Sequence, residues 1–418
     1  MKIGIDFDNT ISRFDASFRE VALTEGFIAE AWVGKGKTEL RNHLREQPDG
    51  EITWMRLQGL VYGKYMPSAE LMPGAASFLL KCRLRNHEVF IVSHKTEFGH
   101  FDPAKISLRR ESMKWMTEKR FFDPDYFGIE KDNVFFADTR EEKVERIAQL
   151  ECEYFIDDLP EVFAEKKFPH GTKKILYGHF DGTTFSNVIT PMRCWGDISD
   201  HVLGCITDDD VSMWANLLLN HPAKKCEKIP GRGNSRVYKL TSMDTRQYAL
   251  KMYPDRSFDG RTRLETEFNA VRFLRANGFD DVPDAVRKDD DLNLGIYSWI
   301  DGQSIGAPDH QDLSQAIEFV RRLYRISKAS QYSADKLATE ACLSARELVN
   351  QIDARFKRLQ SVAMNHSVLS EFLNRSFRPL WQDIKQNLSH KIEPLLRAAQ
   401  DKYLIRVNSQ SFGGEVSV

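Results

Sequence analysis

The feature that most constrains this chain lies in its first eleven residues, where the apolar run Ile3-Gly4-Ile5 ends in Asp6-Phe7-Asp8. A run of this kind is typical of a strand buried in a parallel sheet. Successive side chains of a strand point to opposite faces, so Asp6 and Asp8 share one side and reach the carboxyl edge. Open α/β sheets place their chemistry at that edge. A strand that only runs into a polar turn also fits these residues, so further support is needed.

Three later apolar runs also predict buried strands with polar residues at their ends. Residues 88–92 lead into Ser93, and residues 133–138 lead into a helix that carries Lys143 in its first turn. Residues 153–156 lead into Asp157 and Asp158. Because the carboxyl ends of parallel strands meet at one edge, these groups are expected to gather around Asp6 and Asp8.

Taken in this order, the four strand ends resemble the signature of the haloacid dehalogenase superfamily. The resemblance covers about residues 1–205 and implies an α/β fold with a Rossmann-like parallel sheet. It implies a phosphatase that hydrolyses a small phosphorylated metabolite, a sugar or polyol phosphate by analogy, through an aspartyl-phosphate intermediate. Carboxylates with a cation can perform such chemistry when Mg²⁺ neutralises the anionic phosphate.

The same resemblance assigns a role to each polar residue. Asp6 is the expected nucleophile, Asp8 the acid and base, Ser93 a hydrogen-bond donor to phosphate, and Lys143 the neutralising cation. Mg²⁺ prefers hard oxygen ligands, and the expected ones are Asp6, the backbone carbonyl of Asp8, and Asp157 with Asp158 in reserve.

Lys143 has a simpler interpretation, since mixed charges surround it as they do on many solvated helix faces. Lys131 is the rival lysine for the same role. We favour Lys143, because it stands just after one predicted strand and before the strand that ends in two aspartates.

The stretch from residue 12 to residue 72 is too long for a simple crossover and contains helical patterns at 18–27, 37–44 and 54–65. In haloacid dehalogenase proteins such an insertion is a cap domain, often helical, that closes over the site. Five of its residues are candidates to line the site, although each also fits an ordinary surface or core position: Trp32, Lys35, Lys37, Arg41 and Arg56.

A second part of the chain starts near residue 224 with a strand, a glycine-containing loop and another strand. A β-hairpin explains this pattern, but a glycine loop between strands can also cover nucleotide phosphates. The next predicted strand carries Lys251 and the following helix carries Glu267, which can pair. Residues 224–305 resemble the N-lobe of aminoglycoside phosphotransferase-like kinases. The resemblance implies ATP or another nucleotide as a cofactor, bound by Gly231, Gly233, Ser235, Lys251 and Glu267.

The rest of the kinase pattern is missing from the sequence. Residues 306–405 are predicted to be mainly helical, like part of a C-lobe, and no catalytic loop or later metal-binding acid follows. The Ser- and Gly-rich residues 406–418 predict a disordered tail. The kinase-like part is therefore predicted to be incomplete, through natural loss, a shifted reading frame or a shortened chain, which the sequence does not distinguish.

Composition bounds the partners and the location. The formal charge of −2 over 418 residues gives no basic excess for general nucleic-acid binding. The 6 cysteines form no metal-binding spacing and read as reduced thiols of a cytoplasmic protein. The first ten residues become polar too early for a signal peptide. No stretch of the sequence approaches the roughly 20 apolar residues of a membrane span. The sequence does not predict an oligomeric state.

Three functions remain open. The first is the Mg²⁺-dependent phosphatase, with the kinase-like part inactive. The second is a bifunctional protein that also phosphorylates a small molecule. The third is a regulatory protein in which both parts only bind ligands. The complete set of charged strand ends favours the phosphatase, because a merely structural sheet does not need so many charges at one edge.

Overall fold

The structure, a computed structural model, forms two compact units, Met1–Asp301 and Gly302–Val418, which are described separately. The residues that it describes are 1–32, 34, 36–101, 104–178, 188–220, 222–230, 235–257, 262–302, 305–329, 345–363 and 366–387.

A six-stranded, wholly parallel sheet lies at the centre of the first unit. Its strands are β1 (Lys2–Ile5), β4 (Glu88–His94), β5 (Val134–Ala137), β6 (Tyr154–Asp157), β7 (Lys173–Tyr177) and β8 (Ile189–Met192). Their spatial order is β5-β4-β1-β6-β7-β8, so β1 is central and pairs with β4 on one side and β6 on the other. From β1, the strands β4 and β5 follow on one side and β6, β7 and β8 follow on the other, so the order in which strands are added reverses at β1. This confirms the coarse prediction of a mixed α/β chain with a parallel sheet.

The central strand fits its position because its side chains are apolar or absent. Ile3 and Ile5 are fully buried. A Cβ added at Gly4 would lie 2.5 Å from Cδ2 of Phe155 on the neighbouring strand, so only glycine fits there without movement. Burial on both faces leaves the polar residues to the end of the strand.

Helices cover both faces of this sheet and connect its strands. The helices that follow the insertion are α4 (Ala75–Leu84), α5 (Leu108–Glu118), α6 (Arg140–Leu150), α7 (Pro160–Phe163), α8 (Trp195–Leu203) and α9 (Asp208–Leu219). Thr139 caps α6 in a capping box, accepting a hydrogen bond from the backbone of Glu142, whose side chain accepts one from Thr139. This cap fixes where α6 begins relative to β5.

The insertion between β1 and β4 is helical, as its sequence pattern predicts. It contains α1 (Asp15–Thr24), α2 (Lys37–Arg45) and α3 (Gly50–Tyr62), and the short strands β2 (Ser12–Arg13) and β3 (Glu70–Leu71) pair at its base. The first and third helices begin and end earlier than the sequence pattern suggests. Gly26, with φ +73°, follows the end of α1, and Gly63 caps α3.

The first unit also contains an antiparallel sheet of five strands in the order β12-β13-β11-β10-β9. The bounds are β9 (Ala223–Ile229), β10 (Arg236–Ser242), β11 (Gln247–Met252), β12 (Ala285–Asp289) and β13 (Leu294–Ser298), with α10 (Arg263–Ala276) between β11 and β12. Helix α9 packs against β9 and β12. One continuous hydrophobic cluster contains Ile5 of the parallel sheet, Leu250 of the antiparallel sheet and Trp214 of α9.

The described part of the second unit is helical. It contains α11 (His310–Ala329), α12 (Ala345–Ala363), α13 (Ser367–Phe372), a π-helical turn (Leu373–Phe377) and α14 (Arg378–Asn387). Trp381 of α14 donates its indole N–H to Asp353 of α12 at 2.7 Å. The predicted tail at 406–418 and the last residues of the predicted helical part, 388–405, lie outside the described residues. None of the helices in the described part of the chain has the length and apolar character that crossing a bilayer requires.

Candidate functional site

Three carboxylates meet at the carboxyl edge of the parallel sheet. Asp6 follows β1, Asp157 is the last residue of β6, and Asp158 comes directly after it. One oxygen of each side chain lies within 4.8 Å of the others, so the three can hold a metal ion together. They meet because β1 and β6 are parallel neighbours in register, with Ile5 opposite Ile156. The structure thus places both Asp157 and Asp158 beside Asp6, and not Asp157 alone.

Lys143 lies between two of these acids. Its Nζ is 2.6 Å from Oδ1 of Asp6 and 2.6 Å from Oδ2 of Asp157, and its side chain is 1% exposed. It reaches them from the first turn of α6, so it is not a solvated helix residue. The rival Lys131 instead is exposed, with Nζ 5.5 Å from the ring centre of Phe122.

Burial and mutual repulsion disfavour the ionised acids. Burial raises the pKa of Asp6 to about 7, and the carboxylates of Asp157 and Asp8 add to the rise while Lys143 opposes it. Burial, with Asp6 and Asp157, raises the pKa of Asp158 to about 8. Burial alone would lower the pKa of Lys143, but Asp6 and Asp157 raise it above its usual value. Asp6 and Asp158 therefore hold their protons to a higher pH than exposed aspartates do.

A second lysine, which from sequence fits a substrate contact and a polar turn equally well, lies at the same edge. Lys95 follows β4 and is 4% exposed. Its Nζ donates to Oδ1 of Asp8 at 3.0 Å and lies 5.1 Å from the ring centre of Tyr62. Asp8 therefore turns its carboxylate to Lys95 rather than joining the three-acid group. The signal in the sequence was a cation directly after a buried strand.

Ser93 lies in β4, beside β1, and is 1% exposed. Its Oγ is buried and has no hydrogen-bond partner among the described residues. Buried hydroxyls are normally paired, so an unpaired one at the edge that holds the acids is a donor available to a ligand.

Two residues that sequence reasoning missed hold Asp6 in place. Thr10 Oγ1 donates to Oδ2 of Asp6 at 3.1 Å, and Trp195 Nε1 donates to the backbone oxygen of Thr10 at 2.9 Å. Trp195 lies 185 residues further along the chain, so no local pattern could have identified it. Together these contacts fix the turn that follows β1.

The predicted nucleotide-binding residues lie on the antiparallel sheet. Lys251 of β11 donates to both carboxylate oxygens of Glu267 of α10, at 2.8 and 2.6 Å. Ser235 directly precedes β10. Gly231 and Gly233 lie outside the described residues. The structure thus brings together the lysine and the glutamate of the predicted set.

Comparisons with known proteins give little similarity. No protein-family model matches the chain, and no curated protein matches it. Among solved structures, a protein named as a candidate fructosamine-3-kinase from Thermobifida fusca shares 18% identity with a TM-score of 0.23. The match covers 29% of this chain and 40% of that chain. This chain therefore matches less than half of the similar protein, and a TM-score this low does not establish a shared fold.

The comparisons also correct the predicted activity. Neither the family models nor the curated proteins give a phosphatase, and the similar structure is named as a kinase. On these findings the prediction of a haloacid dehalogenase-type phosphatase, and of a hydrolase in general, is wrong. The strand-end pattern on which it rested fixes where charged groups gather, but it does not fix the reaction.

Proposed function

We propose that the first unit binds a divalent cation, Mg²⁺ by preference, through Asp6, Asp157 and Asp158, and that this cation holds a small phosphorylated ligand. The observation that carries the proposal is the convergence of three carboxylate oxygens within 4.8 Å at the carboxyl edge of the sheet. The proposal is one of binding and includes no hydrolytic step.

The charge balance supports a cation. Three aspartates surround one lysine, and the acids are buried or half-buried, where unpaired charge is costly. A divalent ion would neutralise the excess. Carboxylate oxygens are the ligands that Mg²⁺ prefers, and it commonly completes its shell with water and phosphate oxygens.

The side chains around the three acids support the proposal that the ligand carries a phosphate. The unpaired Oγ of Ser93 can donate to a phosphate oxygen, and the ammonium groups of Lys143 and Lys95 add positive charge nearby. The strand order, which reverses at β1, supports the location, since open α/β sheets bind ligands beside such a reversal. We propose on the same grounds that this sheet is haloacid dehalogenase-like in its fold.

Replacing Ser93 with alanine tests the phosphate part of the proposal. In the presence of Mg²⁺, we expect inorganic phosphate to bind the Ser93→Ala variant about tenfold more weakly, because one hydrogen bond to a charged group is lost. The affinity for Mg²⁺ alone should not change. Isothermal titration calorimetry, with and without Mg²⁺, measures both affinities.

Ser112→Ala is the matched control, since Ser112 is also fully buried with an unpaired Oγ among the described residues but lies on α5. It should bind phosphate like the unaltered protein. The proposal would be contradicted if phosphate bound equally well with and without Mg²⁺, or if both serine variants lost the same amount of phosphate affinity.

A second candidate function is nucleotide binding by the antiparallel sheet, which we propose is kinase-like in its fold. The observation that favours it is the ion pair of Lys251 and Glu267, which holds a lysine in fixed position on a strand. A lysine held in this way can bind nucleotide phosphates.

We expect Lys251→Met to weaken ATP binding by about tenfold, because a charged donor to phosphate is removed. Lys239→Met is the control, since Lys239 lies on the neighbouring strand β10 with Nζ 4.5 Å from the Trp299 ring centre. A fluorescent ATP analogue measures both. Equal binding by all three proteins would rule out this role for Lys251.

A cytoplasmic location also stays a proposal. It is supported by five described cysteines, which are free thiols in the structure: Cys82, Cys152, Cys194, Cys205 and Cys226.

A further inference from the structure

A cavity of ≈ 650 Å³ opens beside the three-acid site and is bounded by the helical insertion. Asn9 and Asp158 line it from the sheet edge, and Lys37, Arg41 and Trp54 line it from α2 and α3. The cavity therefore connects the proposed cation site with a wall that carries two positive side chains.

The two cations stand four residues apart on α2, so they lie on the same face of that helix. Lys37 donates to the hydroxyl of Tyr62 at 2.9 Å, and its Nζ lies 4.6 Å from the ring centre of Phe18. In the described part of the chain, no carboxylate forms an ion pair with Lys37. Its charge is thus held by aromatic rings and a neutral hydroxyl, which position it without neutralising it.

Arg41 is half-buried, and its Nε is buried with no hydrogen-bond partner in the ranges that the structure describes. A guanidinium carries five donors in a fixed fork that matches a carboxylate or a phosphate. A buried guanidinium N–H without an acceptor is costly, so an acceptor from a ligand would satisfy it.

The acidic groups that line the same cavity do not remove this need. Asp15 and Glu39 are exposed to solvent, and Asp158 belongs to the proposed cation site. Lys37 and Arg41 are less exposed than Asp15 and Glu39. Among the charged residues of α2 that line the cavity, Lys37 and Arg41 outnumber Glu39, so this helix contributes a net positive charge to the wall.

We propose that the ligand carries a second anionic group, a carboxylate or a phosphate, which Lys37 and Arg41 bind while the first phosphate is held at the cation. This inference rests on the proposed function and specifies the class of ligand. A ligand with two anionic ends separated by a short spacer would fill the cavity from Asp158 to α2.

Non-hydrolysable phosphonates test the inference in the presence of Mg²⁺. Methylphosphonate supplies one anion, phosphonoalkanoic acids add a carboxylate, and alkane bisphosphonates add a second phosphonate, each over a series of spacer lengths. We expect at least one two-anion probe to bind the unaltered protein about tenfold or more tightly than methylphosphonate, because it gains charge-assisted hydrogen bonds. The series also shows whether a carboxylate or a phosphonate is preferred.

The double variant Lys37→Met, Arg41→Met should lose this advantage, so that it binds the two-anion probes no more tightly than it binds methylphosphonate. A double glutamine variant keeps the test valid if the methionines disturb folding. Arg56→Met is the control, because Arg56 belongs to α3 of the same insertion but is exposed and lies over the Phe27 ring. It should keep the full advantage.

Two results would overturn this inference and leave the proposed function standing. One is Mg²⁺-dependent binding of methylphosphonate without any advantage for the two-anion probes, and the other is an advantage that survives in the double variant. If no probe binds, with or without Mg²⁺, the inference fails together with the proposed function. Binding of two-anion probes that needs Lys37 and Arg41 but not Mg²⁺ would support the second anion site and contradict only the cation.

Discussion

Replacing Lys143 with methionine should lower the free energy of unfolding of the metal-free protein by about 3–5 kcal/mol near pH 8, the usual cost of removing one partner from a buried ion pair. Lys143 is fully buried and contacts both Asp6 and Asp157 at 2.6 Å. Without it, these two carboxylates lose their direct ion-pair partner inside a buried cluster of acids.

The loss should be smaller at acid pH. Burial already raises the pKa of Asp6 to about 7 with Lys143 present, and removing the lysine raises it further. Because the folded variant then binds more protons than the unfolded chain, its free energy of unfolding falls as the pH rises through that range. The variant should therefore recover stability as the pH is lowered from about 8 to about 5. Added Mg²⁺ should restore stability near pH 8, since it replaces the lost positive charge.

Urea denaturation followed by circular dichroism measures these stabilities. Lys167→Met is the control, because Lys167 forms an ion pair of equal length, 2.6 Å, with Glu145 but on the surface, where its loss should change little. A Lys143 variant as stable as the Lys167 variant near pH 8 would show that the buried acids do not need their cation.

Replacing Asp158 with asparagine should weaken Mg²⁺ binding by at least about tenfold, a loss that even indirect partners of a metal can produce. Asp158 is the best of the three acids for this test, because Asp6 and Asp157 also hold Lys143. Its replacement removes a metal ligand and leaves that ion pair in place. Bound Mn²⁺, measured by electron paramagnetic resonance with Mg²⁺ as competitor, gives the affinity.

Asp138→Asn is the matched control for Asp158. Asp138 follows β5 at the same edge of the sheet, but it is exposed and its Oδ1 accepts a hydrogen bond from Arg109 at 2.6 Å. This variant should bind Mn²⁺ like the unaltered protein. Equal affinities in all three proteins would mean that Asp158 is not a ligand.

How much of this site can be read from sequence depends on the range of the interactions. Asp6, Ser93 and Asp157 each follow or end an apolar run, and Lys143 lies in the first turn of the helix after another such run. Parallel strands bring these positions to one edge. The contact of Trp195 with the turn after β1 depends on packing between distant segments, which has no local signal. Lys95 was visible, but a turn explained it equally well until its Nζ was seen next to Asp8.

The sequence indicates which reaction takes place less clearly than it indicates which residues gather at the site. Carboxylates, a lysine and a serine at one edge are compatible with several kinds of phosphate chemistry and with binding alone. The sequence-based prediction of hydrolysis added a reaction to residues that specify only charge and geometry, and it was wrong. The second anionic group that we propose for the ligand rests on the cavity beside Asp158 and not on a motif, because Lys37 and Arg41 line it together only after α2 is packed.

The most direct test of the proposed cation site is anomalous diffraction from crystals of the protein grown with Mn²⁺ as a substitute for Mg²⁺. We predict an anomalous peak bounded by Asp6, Asp157 and Asp158, at Mn²⁺–oxygen distances of about 2.1–2.3 Å, close to those of Mg²⁺. A peak at another position, or no peak at this edge of the sheet at saturating Mn²⁺, would contradict the account.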